Sequence, residues 1–452
     1  VPNSIIWFRR DLRLSDHPAL VEAVERARGD GEVVPLFVID DRLWGPSGDN
    51  RRAFLVGCLR ELDDAIGGHL VVRHGDPAKV VPALAREVEA SHVFVTGDFA
   101  PYGTERDDAV EARLADDERQ LVRVGSPYAV DPGVVRNGSG DPYKVFTPFS
   151  KAWAAHGWPS PIQAPREVPW GTGILTDGVP DAPPVEAALP APGEAAAKRT
   201  ARRFYDTDLD AYDERRNDPG ADATSRLSPY LKWGCIHPRQ LLAKLGSSKA
   251  ERTFRSELAW REFYADVLHH RPDTVRAAFN PAMAAMEVDG RGTASRFAAW
   301  CEGRTGYPIV DAGMRQLVGE GWVHNRVRML VASFLVKDLH LDWTRGARFF
   351  MEHLVDGDVA SNQHGWQWVA GTGTDAAPYF RIFNPVLQGE RFDPGGAYVR
   401  RWVPELADVA DKHVHHPWDA PDGLPEGYPE RMVDHFEERD ESLRRYEAVR
   451  KG

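Results

Sequence analysis

Asp356 and Asp358 flank a glycine, Asn362 follows them, and Trp366 and Trp368 come next in the run DGDVASNQHGWQWVAGTGTDAAPYFRIFNP. Two carboxylates this close are costly in a protein interior unless a cation or a hydroxyl-rich group meets them. A packed core asks for aliphatic residues at a steady period, and a solvent loop does not collect two indoles together with Tyr379, Phe380 and Phe383. A flat, partly polar ligand is one answer to the mixture.

Three further constellations carry chemistry. In ATSRLSPYLKWG, Thr224, Ser225 and Ser228 stand with Arg226 at an expected helix start, where unpaired N–H groups, hydroxyls and the positive helix end suit a phosphate. Simple N-capping is the commoner explanation of an isolated Ser/Thr pair. In ELAWREFY, Glu257, Trp260 and Arg261 fall at i, i+3 and i+4 and share a helix face, an acid, an indole and a guanidinium pointing one way. In GEGWVHNRVRMLVASF, the spacing predicts Trp322, Asn325, Arg326 and Met329 on one side and Arg328 on another. Asn can hydrogen-bond a base or flavin edge, and Met fills irregular apolar contacts.

The elements that must position these residues follow from periodicity. SIIWF, VVPLFVI, HLVVRHG and HVFVTG read as strands, and HPALVEAVERARG and RAFLVGCLRELDDAIG as amphipathic helices between them. That alternation predicts an α/β N-terminal domain over 1–130 with a parallel, Rossmann-like sheet covered by helices. No GxGxxG or GxxxxGK[ST] loop accompanies it. Residues 131–197 are expected to form an interdomain connection, because from about 160 onward Pro, Gly and Ala dominate without sustained period. Residues 198–452 read as an all-α domain, with ERTFRSELAWREFYADVLHHR and HNRVRMLVASFLVKDLHL its clearest helices.

Composition narrows the class. With 452 residues the chain is long enough for two or three domains, and 42% hydrophobic with 27% charged residues is ordinary globular usage, although 14 Trp is high. Three scattered cysteines indicate neither a disulfide framework nor a Cys-based metal site, and no metal is expected. The opening SIIWFRR has no signal-peptide layout and no long apolar run follows, so a cytoplasmic protein without a membrane role is expected. Net charge is −12, yet residues 198–348 hold 25 Lys/Arg against 19 Asp/Glu. A local basic surface for nucleic acid is compatible with that excess, as is ordinary fluctuation among solvated helices.

The ordered motifs WFRRDLRLSDHPAL, VFTPFSKAW, TSRLSPYLKWG, ELAWREFY, TGYPIVDAGMRQL, GWVHNRVRMLVASFLVKDL and DGDVASNQHGWQWVAGTGTDAAPYFRIFNP resemble the photolyase/cryptochrome family. Within it they are most similar to bacterial photolyases acting on cyclobutane pyrimidine dimers. The likeness spans the chain except the Pro/Ala-rich connection.

The resemblance implies that the helical domain binds FAD. Tyr212, Thr224, Ser225, Arg226, Leu227 and Ser228 would surround the phosphates and ribityl chain, with Arg261, Trp322, Asn325 and Arg328 lining the pocket. Asp356 and Asp358 would meet the flavin and its adenosine part, and Asn362 would face the flavin N5. It further implies light-driven repair, in which excited reduced FAD passes an electron to the dimer and recovers it. Glu257 would bond the base edge, Trp260 and Trp368 would stack on the lesion, and Asn325 and Met329 would shape the pocket floor. Arg216, Arg326 and Arg381 would hold phosphates of UV-damaged DNA.

In relatives a path of three indoles refills the flavin. Trp366 and Trp343 match its first two members, and Gly290 stands at the third. Trp300 occurs in relatives as a separate residue. Phe254 stands where many relatives carry an indole. A second, antenna chromophore is expected near Asp98, Glu105 and Arg51 of the N-terminal domain, with 8-hydroxy-5-deazaflavin favoured over methenyltetrahydrofolate because Thr104 stands where folate-binding relatives have Asn. A monomer is expected. Two other readings are a cryptochrome-type blue-light photoreceptor and a (6-4) photoproduct lyase. The first usually carries a C-terminal extension, and the second uses histidines where this chain has Asn325 and Met329.

Overall fold

The computed structural model describes residues 3–290, 292–375 and 381–451; Tyr379 and Phe380 lie outside the described residues. Contacts divide the chain into two units, Val1–Val185 with Pro190–Leu209 and Ser225–Pro272, and Glu186–Leu189 with Asp210–Thr224 and Asp273–Gly452.

The first unit is built on five parallel strands, β1 (Asn3–Phe8), β2 (Val33–Ile39), β3 (Val71–His74), β4 (Ala90–Val95) and β5 (Gln120–Arg123), in the order β3-β2-β1-β4-β5. Every residue of β2 is buried, as expected for a central strand covered on both faces. Register runs from Ser4↔Val33 to Phe8↔Phe37 between β1 and β2, and from Ser4↔His92 to Ile6↔Phe94 between β1 and β4. The crossovers are α1 (Pro18–Arg26), α2 (Asp49–Ala65), α3 (Pro77–Glu87) and α4 (Pro101–Ala115). The parallel α/β sheet read from the sequence is therefore present, and β5, a short QLVR segment with one buried residue, is an addition to it.

Three helices of this unit matter for the site: α5 (Phe146–His156), α6 (Ser228–Trp233) and α7 (Lys249–His270). A capping box fixes the start of α7, Ser248 accepting from the Glu251 N–H while Glu251 reaches back to Ser248. From 157 to 192 the chain forms no helix or strand, only a bridge of Trp170 to Val33. Cys58 and Cys235 meet as buried free thiols with their Sγ atoms 3.6 Å apart.

The second unit is helical. Its principal elements here are α8 (Pro308–Glu320), α9 (Asn325–Ser333), α10 (Trp343–His353), α11 (Val359–Ala370) and α12 (His435–Lys451). One buried cluster joins α8, α9, α10 and α11, including Met314, Leu330, Phe350 and Trp366. Directly after α9 the backbone runs through a π-helical turn, Phe334–Asp338, which periodicity alone does not reveal.

Candidate functional site

In the second unit the carboxylates sit where α11 begins. Asp358 is the N-cap of that helix and accepts from the Ser361 N–H at 3.2 Å, so part of its acceptor capacity serves the fold. Asp356 is buried, and its Oδ2 meets Arg328 Nη2 at 2.8 Å. Arg328 also donates to the Val323 carbonyl at 2.8 Å, which fixes the guanidinium from a second direction. The Oδ1 of Asp356 is buried with no partner among the described residues. A carboxylate oxygen left this way costs about 1–3 kcal/mol unless a donor arrives, so the atom suits a hydroxyl or amine of a bound dinucleotide.

Asn362 is buried one turn into α11, and its amide donates to the Ala347 carbonyl at 3.0 Å and to Gln363 at 2.9 Å. Those bonds hold the side chain in one orientation. Trp322 lies before α9, whose N-cap is His324, and so is carried by the approach to the helix. The expectation that it shares a helix face with Asn325, Arg326 and Met329 is corrected by that cap. Of those three, Asn325 is exposed and Met329 is half-buried. Arg326 donates to Asn217 Oδ1 at 2.8 Å and lies 4.5 Å from the Phe392 ring centre, and Arg216 lies over Tyr212 at 5.6 Å.

The two neighbouring indoles of α11 separate by side. Trp366 is buried in the core, with Phe350 at 5.1 Å edge-on and Trp300 at 6.1 Å. Trp368 is half-buried, and the exposed Arg381 guanidinium stands 5.9 Å from its ring centre. Trp343 opens α10 and is buried. Gly290 is exposed, and a side chain there would meet nothing within 4 Å. Trp300, left aside by the sequence reading, is thus an indole in ring contact with Trp366.

In the first unit, Thr224's successors Ser225, Arg226 and Leu227 lead into α6, which starts at Ser228 without a side-chain cap at Leu227. Ser225 Oγ accepts from the Leu227 N–H at 3.4 Å, a local turn just ahead of the helix. Arg226 takes φ of +52°, a left-handed conformation that L side chains adopt at a cost and that clusters at ligand sites.

On α7, Trp260 is half-buried and lies flat on Phe146, with centroids 3.7 Å apart and planes 8° from parallel. Glu257 is half-buried one turn earlier. Arg261 donates to the carbonyls of Pro127 at 3.1 Å and Leu231 at 3.2 Å and covers Tyr128, tying α7 to two other segments. Its neighbour Glu262, missed by the sequence reading, accepts from the N–H groups of Ala129 and Val130 and from the Trp153 indole. Burial pushes this carboxyl up to about 7 against those bonds. Phe254 packs on Phe204 at 4.7 Å.

The strand order of the sheet reverses at β1 and β4, the place where open α/β sheets offer a crevice at their carboxyl ends. Asp98 follows β4 there. Burial pushes its carboxyl up, but Arg106 at 3.3 Å, with Arg10 and Arg9, outweighs that and leaves it below its ordinary value. Arg9 and Arg106 both share Asp107 and flank the Trp7 ring at 4.8 and 5.2 Å. Arg51 is buried on α2 and donates to Ser47 at 3.2 Å, whereas Glu105 is exposed with Arg42 3.9 Å away. Of the three expected antenna residues, Asp98 is thus engaged in an ionic network with Arg106, Asp107 and Arg9, while Arg51 and Glu105 stand outside it.

Residues 4–167 match the family profile described as DNA photolyase, and residues 254–448 match the FAD binding domain of DNA photolyase. The chain is 42% identical over 451 residues to the deoxyribodipyrimidine photo-lyase of Streptomyces griseus, covering 96% of this chain and 97% of that one. It is 39% identical to the enzyme of that name from Escherichia coli, with 99% of each covered. Among solved structures, a bacterial class III photolyase from Agrobacterium tumefaciens superposes with a TM-score of 0.93 at 38% identity, covering 100% of this chain and 98% of that one. An archaeal photolyase from Sulfolobus tokodaii described with two FAD molecules gives 0.87 at 30%, covering 99% and 100%. A Synechocystis cryptochrome gives 0.89 at 27%, covering 98% and 99%.

Proposed function

The chain belongs to the DNA photolyase family, and from that premise we propose that it is a deoxyribodipyrimidine photo-lyase, repairing cyclobutane pyrimidine dimers in DNA with light and FAD. The geometric observation that carries the reading is Trp260, held flat by Phe146 on one side while still half-buried, one turn from Glu257. A ring so fixed offers a stacking wall at little further entropic cost, and each stacked base is worth about 1–3 kcal/mol. That gain offsets the extrusion of a lesion whose stacking is already weakened.

The residues divide the work. Asp356, with its unpartnered Oδ1 and its Arg328 brace, binds a hydroxyl-bearing part of the dinucleotide, and Asp358 assists. Asn362 offers the flavin edge its amide oxygen, an acceptor, because both amide N–H groups are taken by Ala347 and Gln363. Tyr212, Thr224, Ser225, Arg226, Leu227, Ser228 and Trp322 are the further cofactor contacts of this reading, and Arg261 is counted with them. When bound and reduced, FAD supplies under light the electron that opens the cyclobutane ring. Glu257 accepts a hydrogen bond from the dimer's base edge, Trp260 and Trp368 stack on it and exclude water, and Asn325 and Met329 bound it below. Arg216, Arg326 and Arg381 neutralise phosphates.

For the second chromophore the flavin class is favoured. A structure similar over the whole chain is described with two FAD molecules, and that supports a tricyclic antenna such as 8-hydroxy-5-deazaflavin over methenyltetrahydrofolate. No helix among the described residues is long and apolar enough to cross a membrane. A monomer working in the cytoplasm completes the reading.

The test is illumination of the reduced protein with an oligonucleotide carrying one cyclobutane thymine dimer and another carrying a (6-4) product, with chromatography of the bases. Thymine recovered from the first alone is the expected outcome. Recovery from the second alone would assign the chain to (6-4) repair, and recovery from neither would favour the photoreceptor. Glu257→Ala lowers repair with flavin content unchanged.

A further inference from the structure

Lys337 is buried in the π-helical turn that follows α9, where few lysines are found without a partner that needs them. Its ammonium donates to the backbone carbonyl of Arg381. Four residues earlier on the same face, Ser333 Oγ accepts from the Phe383 N–H at 3.5 Å. The short segment 381–383 is therefore held at both ends by one helix and its π-turn. That segment delivers the exposed Arg381 guanidinium beside Trp368. From the other side α12 grips the turn itself: Ser442 Oγ donates to the Lys337 carbonyl at 2.6 Å, and His435 pairs with Asp338.

We propose that Lys337 is a positioning residue for DNA binding, its ammonium fixing the backbone of Arg381 so that the guanidinium meets a phosphate next to Trp368. This rests on the reading of Arg381 as a phosphate contact. Net stability is weak ground for the amine, because taking an ammonium out of water costs about as much as its pairing in the interior returns. Function explains it: a carbonyl anchored by an ammonium fixes a loop more tightly than apolar packing does. Among the described residues, the charges acting on it include Asp338 on its own segment and Arg381 itself, with His340, His435 and Glu438 paired close by.

Burial pulls the Lys337 ammonium down to about 7, Asp338 opposing the shift and Arg381 adding to it. It is protonated below that pH and a weaker, neutral donor above, so the anchor loosens as pH rises.

The experiment compares the flavin-loaded full chain with its Lys337→Met and Lys337→Arg variants by fluorescence anisotropy on duplexes with and without a cyclobutane dimer, across pH 6–9. Loss of one buried hydrogen bond from a charged donor corresponds to about a fivefold or greater loss of affinity. We expect that loss in Lys337→Met on both duplexes, larger than any change in denaturation midpoint accounts for, and rescue by Lys337→Arg. The parental affinity falls through about pH 7 relative to Lys337→Met, and Lys337→Arg, always charged, lacks that fall. Parental affinity and pH profile in Lys337→Met would overturn the proposal, as would a loss that tracks a lowered denaturation midpoint and is not rescued by Arg. Binding is read without light, so failure of the parental protein to repair the dimer refutes the repair assignment separately.

Discussion

Gly346 makes the position of Trp366 a quantitative matter. It lies on α10, and a Cβ added there would stand 2.2 Å from Cη2 and 2.6 Å from Cζ3 of Trp366 and 2.5 Å from Cδ2 of Leu335. No side chain tolerates such contacts, and the indole cannot withdraw freely because Phe350 and Trp300 pack against it at 5.1 and 6.1 Å. Overpacking of this kind costs about 1–3 kcal/mol, while replacing a helical glycine by alanine returns up to about 1 kcal/mol. Contacts this short put the cost at the upper end of that range, so Gly346→Ala is expected to destabilise the protein by a net of about 2 kcal/mol. Guanidinium unfolding followed by circular dichroism reads this as a lower midpoint at equal slope. A phenyl ring at 366 lacks the outer indole carbons that clash, so Gly346→Ala should cost less in a Trp366→Phe background, with a coupling energy of about 1 kcal/mol. Additive single changes, or a Gly346→Ala protein as stable as the parent, would refute the argument that this glycine exists to seat the indole.

Arg381→Ala weakens binding to damaged and undamaged DNA alike and reduces the slope of log affinity against log salt by about one, measured by anisotropy titration at several salt concentrations. Glu262 gives a pH dependence: its folded pKa of about 7 lies above the ordinary carboxylate value, so its stabilising contribution is full below that ordinary value and is lost as pH rises through about 7. Denaturation midpoints of the parent should therefore fall between pH 5 and 8 relative to Glu262→Gln. Trp366→Phe slows light-driven reduction of oxidised flavin by external reductant while leaving repair by chemically reduced protein near the parental yield. Gly290→Trp is tolerated, since its backbone is not left-handed and a Cβ meets open space, and transient absorption shows faster flavin reduction if the position extends the route from Trp343.

Much of this molecule is legible in its sequence because the signals are local. The buried run VVPLFVI is β2 residue for residue, since a central parallel strand needs continuous apolar character and nothing else. Ser248 and Glu251 mark the start of α7 because a capping box is written within four residues. The motifs carrying the family resemblance are likewise runs of neighbouring residues.

Tertiary structure decided what depends on partners distant in the chain. Nothing near Trp260 announces that Phe146 will lie flat beneath it, because their meeting depends on how α5 packs on α7. Spacing alone puts Trp322 on a helix face, whereas His324 caps the helix that follows and leaves Trp322 ahead of it. Asp98 has the chemistry of a cofactor ligand in sequence, yet its charge is taken up by Arg106 and its neighbours, contacts that only the folded strand ends create. Lys337 reads as one more lysine in an amphipathic helix, and only packing buries it and aims its amine at the Arg381 carbonyl. The sequence by itself determined four of the five strands, the long helices and the family, because each is encoded over a few adjacent positions. Which charges stay available, which indole touches which, and which amine holds the loop were decided by the fold, because burial and pairing are properties of surfaces brought together from far along the chain.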